Sequence, residues 1–259
     1  MNENKTLEIS KLEKLVKSKS KHSDYQLLHP SLLSLISNDS YSPIGKNEYA
    51  RFEYIKNLTS LNEKNVLDIG ANTGFFSLAS IDAGAKKVVS QEGNREHADF
   101  LSLGARCLGI EDKLEVRPYY YDFFAPCVKE KFDVIFCLNV LHHLGDDFGD
   151  SSINLDSAKK EILNSLNNLA NKSKYCFMQF GFNWKGDKNI PLFKYGKKIE
   201  IIDFIQQGTK NFWTIENIAV MNFDGDKYID INEESLVRFD NLGEFSNRPL
   251  FFLKSCILK

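Results

Sequence analysis

From Asn65 onward the apolar residues follow two alternating rhythms. Compact blocks, such as Val66-Leu67-Asp68-Ile69, Val88-Val89 and Val134 to Leu138, give way to stretches whose apolar positions recur every three or four residues. The blocks predict strands buried on both faces, and the periodic stretches predict helices. In order these are a strand ending at Ile69, a helix from Phe75 to Ala83, a strand ending at Glu92, and a helix from Arg95 to Leu108. Strands then follow at Leu114–Tyr121 and Lys131–Leu138, a helix at Leu155–Ala170 and a fifth strand at Ser173–Phe180. Such alternation predicts a doubly wound, mostly parallel sheet with right-handed crossovers. The tail changes character: Asn211–Phe223 and Arg248–Leu258 read as two strands of a terminal hairpin, one of them inserted antiparallel. Asp224-Gly225-Asp226 lacks the rest of a calcium-loop ligand pattern and reads as a turn.

Before Asn65 the pattern is helical throughout. Residues 1–24 are polar and Lys-rich, with Leu7, Leu12, Leu15 and Val16 at a partly helical period. They predict an amphipathic leader helix, or alternatively a basic face of Lys11, Lys14, Lys17, Lys19 and Lys21 suited to RNA or an anionic substrate. Apolar clusters at Tyr25–Leu28 and Leu32–Ile36, a loop over 38–45 and a helix at Glu48–Leu58 follow. The division expected is an N-terminal helical extension or lid over 1–61 and a catalytic domain over 62–259.

Composition narrows the setting. At 259 residues with 42% hydrophobic and 26% charged content the chain has ample material for a core, and its net charge of −2 excludes a generally basic surface. Five cysteines are scattered without a Cys-x-x-Cys pair, so neither a zinc site nor a disulfide framework is expected. With no apolar run near ~18 residues and no signal-peptide pattern, a reducing cytoplasm is the expected location and no membrane the expected partner.

Candidate chemistry centres on Gly70-Ala71-Asn72-Thr73-Gly74, a tight loop between a strand and a helix. A dinucleotide fingerprint would place a third glycine where Phe75 stands, and a phosphate loop would end in Lys followed by Ser or Thr. Neither fits. The run Asp68-Ile69-Gly70-Ala71-Asn72-Thr73-Gly74 resembles motif I of the class I S-adenosylmethionine-dependent methyltransferases, with Asn72 at the family's middle glycine. Asn tolerates the left-handed conformation that position needs. Asn139-Val140-Leu141-His142-His143-Leu144 is similar to the family's motif IV.

The resemblance implies a three-layer αβα Rossmann-like fold, with a seven-stranded, mostly parallel sheet, one antiparallel strand and a helical N-terminal extension. It implies S-adenosyl-L-methionine as cofactor, with Asp68, Gly70, Asn72, Gly74 and Phe75 at the first loop. Glu92, with Gly93 beside it, would accept from the ribose hydroxyls, and Asp122 from the adenine amino group. Phe123 or Tyr121 would wall the ring, and Asn139 would leave the sheet beside the transferable methyl. Read without the family, Glu92 is a solvated loop acid and Asp122 the cap of a short helix near Ala125.

Methyl transfer from a sulfonium is an in-line displacement that depends on alignment and, for a hydroxyl acceptor, on a base. His143 is the preferred catalytic base and His142 the alternative, since imidazole titrates near neutrality. Capping or packing, or metal binding together with Asp146 and Asp147, are competing roles. Adjacent histidines are not an i, i+4 ligand pair, so no metal is expected. Tyr25, Gln26, His29, Tyr41, Arg51 and Tyr54 are candidates to contact cofactor or acceptor from above, and Phe182, Trp184 and Lys185 candidates to line an acceptor pocket. Tyr25-Gln26, the form of the first motif, and Asn247-Arg248-Pro249-Leu250-Phe251 resemble bacterial methyltransferases of surface-polysaccharide and nucleotide-sugar modification. That likeness implies a small sugar or phosphorylated acceptor, with Arg248, Arg51 and Lys185 pairing its anion. Two alternatives stand beside it: a tRNA- or RNA-modifying methyltransferase, since the wobble-uridine tRNA enzymes share the sheet and a comparable extension, and a non-catalytic S-adenosylmethionine-binding protein.

Overall fold

A computed structural model describes residues 3–17, 25–37, 45–125 and 130–258. Lys19, Lys21 and Tyr41, named above, and one of the five cysteines, Cys127, lie outside the described residues, as does most of the loop expected over 38–45. The chain divides into two compact units, Met1–Phe52 with Lys56–Tyr121, and Glu53–Ile55 with Asp122–Lys259.

The first unit begins with α1 (Glu3–Lys17), α2 (Pro30–Leu33) and all of α3 (Glu48–Leu58) but Glu53–Ile55. Leu12 is fully buried, and α1 lies against a later helix, α5 (Arg95–Leu108). Three parallel strands follow in the order β3-β2-β1, with β1 (Asn65–Ile69), β2 (Lys87–Gln91) and β3 (Leu114–Arg117). Val66 pairs with Val88 and Val88 with Leu114, so the apolar blocks fall in register. Pro118 has no N–H to continue a ladder, and β3 stops short of the Tyr121 expected from pattern alone. Helix α4 (Phe75–Asp82) joins β1 to β2. Helix α5 starts where the Asn94 side chain accepts from the Glu96 and His97 N–H groups, and stops at Gly109 with φ +68°. Its Ala98, Phe100 and Leu101 are buried, each large apolar side chain contributing about 2 kcal/mol by area.

The second unit holds five strands in the order β4-β5-β8-β6-β7. These are β4 (Phe132–Leu138), β5 (Ser173–Gln179), β6 (Trp213–Met221), β7 (Tyr228–Asp230) and β8 (Leu250–Ser255). β4 and β5 are parallel, and β8 inserts antiparallel between β5 and β6, as the tail pattern predicts. The described strands number eight rather than seven, because the three residues of β7 fold back on β6. The turn between them is Asp224-Gly225-Asp226, with Gly225 at φ +76° and the Asn222 Oδ1 accepting from the Asp226 N–H. Helices α6 (Leu155–Asn168) and α7 (Lys198–Thr209) complete the unit with the short α8 (Gly243–Ser246); α7 is absent from the elements expected above. Phe177 stacks on Phe252 at 4.6 Å, and the Trp213 indole donates to the Leu166 carbonyl at 3.1 Å, tying β6 to α6. Among the described residues no helix is long and apolar enough to cross a membrane.

Candidate active site

In the first unit the loop after β1 turns through three left-handed residues, Gly70 at φ +71°, Asn72 at +53° and Gly74 at +86°. Asn72 takes the conformation that its place in the motif requires. Gly74 is required twice over, since a Cβ there would stand 2.4 Å from Leu101 Cδ1 of α5. Every backbone N–H from Gly70 to Phe75 has a protein acceptor. Gly70 and Ala71 donate to the Gln91 carbonyl at 2.8 and 3.3 Å, and Gly74 to the Ala71 carbonyl at 2.9 Å. Asn72 N–H donates to Glu92 Oε2 at 2.6 Å, Thr73 N–H to Asn72 Oδ1 at 2.8 Å, and Phe75 N–H to Gln26 Oε1 at 3.0 Å. A pyrophosphate seated on a helix N-terminus uses such N–H groups. Here they are already engaged.

Glu92 is buried rather than solvated, its second oxygen accepting from the Asn94 N–H at 2.7 Å. Beside it Gly93 leaves room for a ring: a Cβ there would fall 2.1 Å from Tyr120 Cδ1. Tyr120, which the motif reading passed over, is therefore the aromatic packed on Gly93, and three consecutive tyrosines were the only signal. Asp68 lies behind the loop, accepting from Ser77 Oγ at 2.6 Å, and Ser77 meets Ser90 at 2.6 Å. Burial, opposed by the Ser77 hydrogen bond and reinforced by the charge of Glu92, pushes the Asp68 carboxyl up to about 7. Gln26 reaches the loop from the N-terminal extension, and half-buried Tyr25 precedes it. His29 is packed edge-on to Phe75 at 5.7 Å, and burial lowers its pKa against the opposing charge of Asp82. Arg51, expected at an anion, is 2% exposed, donates to the Lys46 carbonyl at 2.6 Å and lies over the Phe76 ring.

In the second unit Asp122 is exposed and accepts from the Phe124 N–H at 2.9 Å, the local capping role, while Phe123 is buried against Phe148 at 5.5 Å. β4 ends at a polar knot. Asn139 is left-handed at φ +63°; its Nδ2 donates to Gln179 Oε1 at 3.2 Å and its Oδ1 accepts from Arg248 at 2.8 Å. Arg248 is 8% exposed and pairs with Glu244 at 2.6 Å. Burial raises the Glu244 carboxyl, but Arg248 and the Phe182 N–H outweigh it and hold the group below its ordinary range. Arg248 thus already carries an anion from its own chain. The i, i+4 spacing of Glu244 and Arg248 was readable as a pair; its meeting with Asn139 was not.

The two histidines diverge in this setting. His142 is 1% exposed and its Nδ1 accepts from the Gly181 N–H at 3.2 Å, which assigns the proton of the neutral ring to Nε2. His143 lies tilted against it, with ring centroids 4.2 Å apart, and its Nδ1 is 3.4 Å from Asp147 and 3.9 Å from Asp146. Ligand atoms of His143, Asp146 and Asp147 lie within 4.8 Å of one another, so the four-residue metal alternative narrows to these three and leaves out His142. Trp184 is buried, its indole donating to the Leu144 carbonyl at 2.7 Å, and Lys185 Nζ lies 4.5 Å from its ring centroid.

Among solved structures the chain is similar to the bifunctional kinase-methyltransferase WbdD, at 18% identity and a TM-score of 0.54, covering 94% of this chain and 46% of that one. The fold is that of a class I methyltransferase. No family model matches the chain. Among curated proteins this methyltransferase fold is 33% identical over 130 residues to the tRNA U34 carboxymethyltransferase of Campylobacter hominis, 46% of this chain and 38% of that one. It is 31% identical over 104 residues to the enzyme of that name from Helicobacter acinonychis, 36% of each chain. The ubiquinone biosynthesis O-methyltransferase of Actinobacillus pleuropneumoniae is 34% identical over 118 residues, 42% of this chain and 47% of that one. The chain thus spans less than half the length of each of these curated relatives.

Proposed function

We propose that the chain is an S-adenosylmethionine-dependent transferase acting on tRNA. The donor half rests on the loop after β1, whose N–H groups from Gly70 to Phe75 are all engaged within the protein. An anionic pyrophosphate would find those donors engaged, whereas the cationic sulfonium and the ribose hydroxyls of an adenosyl donor call for acceptors such as Glu92. In this reading Gly70, Asn72, Gly74 and Phe75 shape the floor, Asp68 braces it from behind, and Glu92 accepts from ribose hydroxyls with lone pairs its two amide bonds leave over. Gly93 admits the adenosine side, with Tyr120 beside it. Gln26, carried by the expected 1–61 extension, holds the loop shut.

A bound donor would supply an electrophilic carbon on cationic sulfur, open to in-line attack by the acceptor with the thioether as leaving group. His143 takes the acceptor's proton. Asp147 beside its Nδ1 favours the proton there and leaves Nε2 as the accepting atom, the orienting logic of an acid–histidine pair. His142 cannot share this task while Nδ1 accepts from Gly181, and is a donor through Nε2. The acceptor half rests on the relatives named for tRNA U34, which favour RNA over the sugar acceptor that the polysaccharide likeness implied. A small-molecule hydroxyl is the second reading, favoured by the ubiquinone-pathway relative.

Calorimetry with S-adenosylhomocysteine, followed by transfer of label to bulk tRNA, tests both halves. Two labelled donors belong in the assay, S-adenosylmethionine and its analogue carrying a carboxylate on the transferred methyl. Binding with label entering tRNA is expected. Absence of binding removes the donor assignment; binding without any label in tRNA removes the acceptor.

A further inference from the structure

Helices α1 and α5 of the first unit enclose a groove of about 420 Å³. Each contributes one helical stripe, Glu8, Lys11, Lys14 and Leu15 from α1, and Asp99, Ser102, Leu103 and Arg106 from α5. The charges do not cancel evenly. Glu8 is held by Arg106 at 3.5 Å and Asp99 by Arg95 at 3.0 Å, so each acid already faces an arginine. Lys11 and Lys14 are exposed and form no ion pair among the described residues. Below them Leu103 is buried and Leu15 half-buried, giving the groove an apolar floor. Cationic rim, hydroxyl wall and apolar floor together suit a phosphate joined to a flat, weakly polar body. The volume falls within the range of small-ligand sites.

We propose that this groove holds one nucleotide of the RNA acceptor, its phosphodiester against Lys11 and Lys14 and its base or ribose over Leu15 and Leu103. The proposal rests on the tRNA reading above and adds a second contact to it, away from the transfer chemistry. It gives the basic leader a task within a chain whose net charge of −2 offers RNA no general attraction.

The test is tRNA binding as a function of salt, by fluorescence anisotropy, for the full chain and the double variant Lys11→Ala/Lys14→Ala. Both positions are exposed helix sites where alanine raises helix propensity, so the variant folds. Loss of one phosphate contact lowers the slope of log affinity against log salt by about 0.7 for single-stranded RNA. Binding of S-adenosylhomocysteine stays unchanged. The pair Lys210→Ala/Lys254→Ala, exposed on the second unit, serves as control and leaves the slope alone. A wild-type chain that labels tRNA while Lys11→Ala/Lys14→Ala keeps the same affinity and slope overturns the groove and spares the acceptor. A wild-type chain that binds no tRNA at low salt overturns both.

Discussion

The loop after β1 and the knot after β4 are both buried polar assemblies at strand ends, yet they are built by opposite means. In the loop, backbone N–H groups supply the donors, and apart from Gln26 their acceptors lie within about one βα unit. In the knot side chains do the work: Arg248, from the end of the chain, crosses 109 positions to reach Asn139 and is balanced by Glu244. Backbone donors survive most substitutions. Side-chain knots do not, because removing one member leaves another buried without its partner.

Truncating the knot is the sharpest way to expose that difference. Arg248→Ala strands the Glu244 carboxylate, at a cost of about 3–5 kcal/mol in urea unfolding, whereas Arg248→Ala/Glu244→Gln recovers part of it. Equal stability of the two variants would mean that the ion pair is not what holds Asn139.

His143→Ala sits next in size. A positioned base contributes about 10²- to 10⁴-fold, so turnover falls in that range with donor affinity unchanged, while Asp147→Asn loses less. Full turnover in His143→Ala leaves the acceptor's proton with some other group.

In the loop the effects shrink. Gln26→Ala removes the acceptor at the start of α4, worth about 1 kcal/mol by analogy with helix caps, and weakens donor binding without abolishing it. A donor affinity in Gln26→Ala identical to wild type would separate the extension from the loop's closure.

The last effect is a slope with pH. Because burial raises the Asp68 carboxyl to about 7 from an ordinary 3.8, the folded chain holds this proton more tightly than the unfolded one. Its contribution to stability is complete below about pH 4 and is lost as pH rises through about 7. Melting temperatures of wild type therefore decline across that window relative to Asp68→Asn, and parallel curves for the two proteins would assign the decline elsewhere.

Much of the fold was legible in local pattern. The apolar blocks at β1, β2, β4 and β5 and the left-handed Asn72 follow from periodicity and φ preference, which act over a few residues, whereas the antiparallel insertion of β8 was implied by the family resemblance. β7 was not legible, since Tyr228–Asp230 is too short and polar to show alternation. The candidate site divides likewise. Gly70, Gly74 and Glu92 announce themselves by spacing, but Arg51 and Arg248 read as available cations and are instead committed to Lys46, Phe76, Glu244 and Asn139.

The order of residues alone determined which segments became strands and helices and where the first loop had to bend, because steric limits on φ and the burial of apolar runs are local. Tertiary structure decided which polar groups were already taken. Whether Asp68 carries a proton, which nitrogen of His142 does, and which lysines of α1 lack a counter-charge depend on neighbours dozens of positions away, and desolvation and hydrogen bonding act only once those neighbours have been brought together.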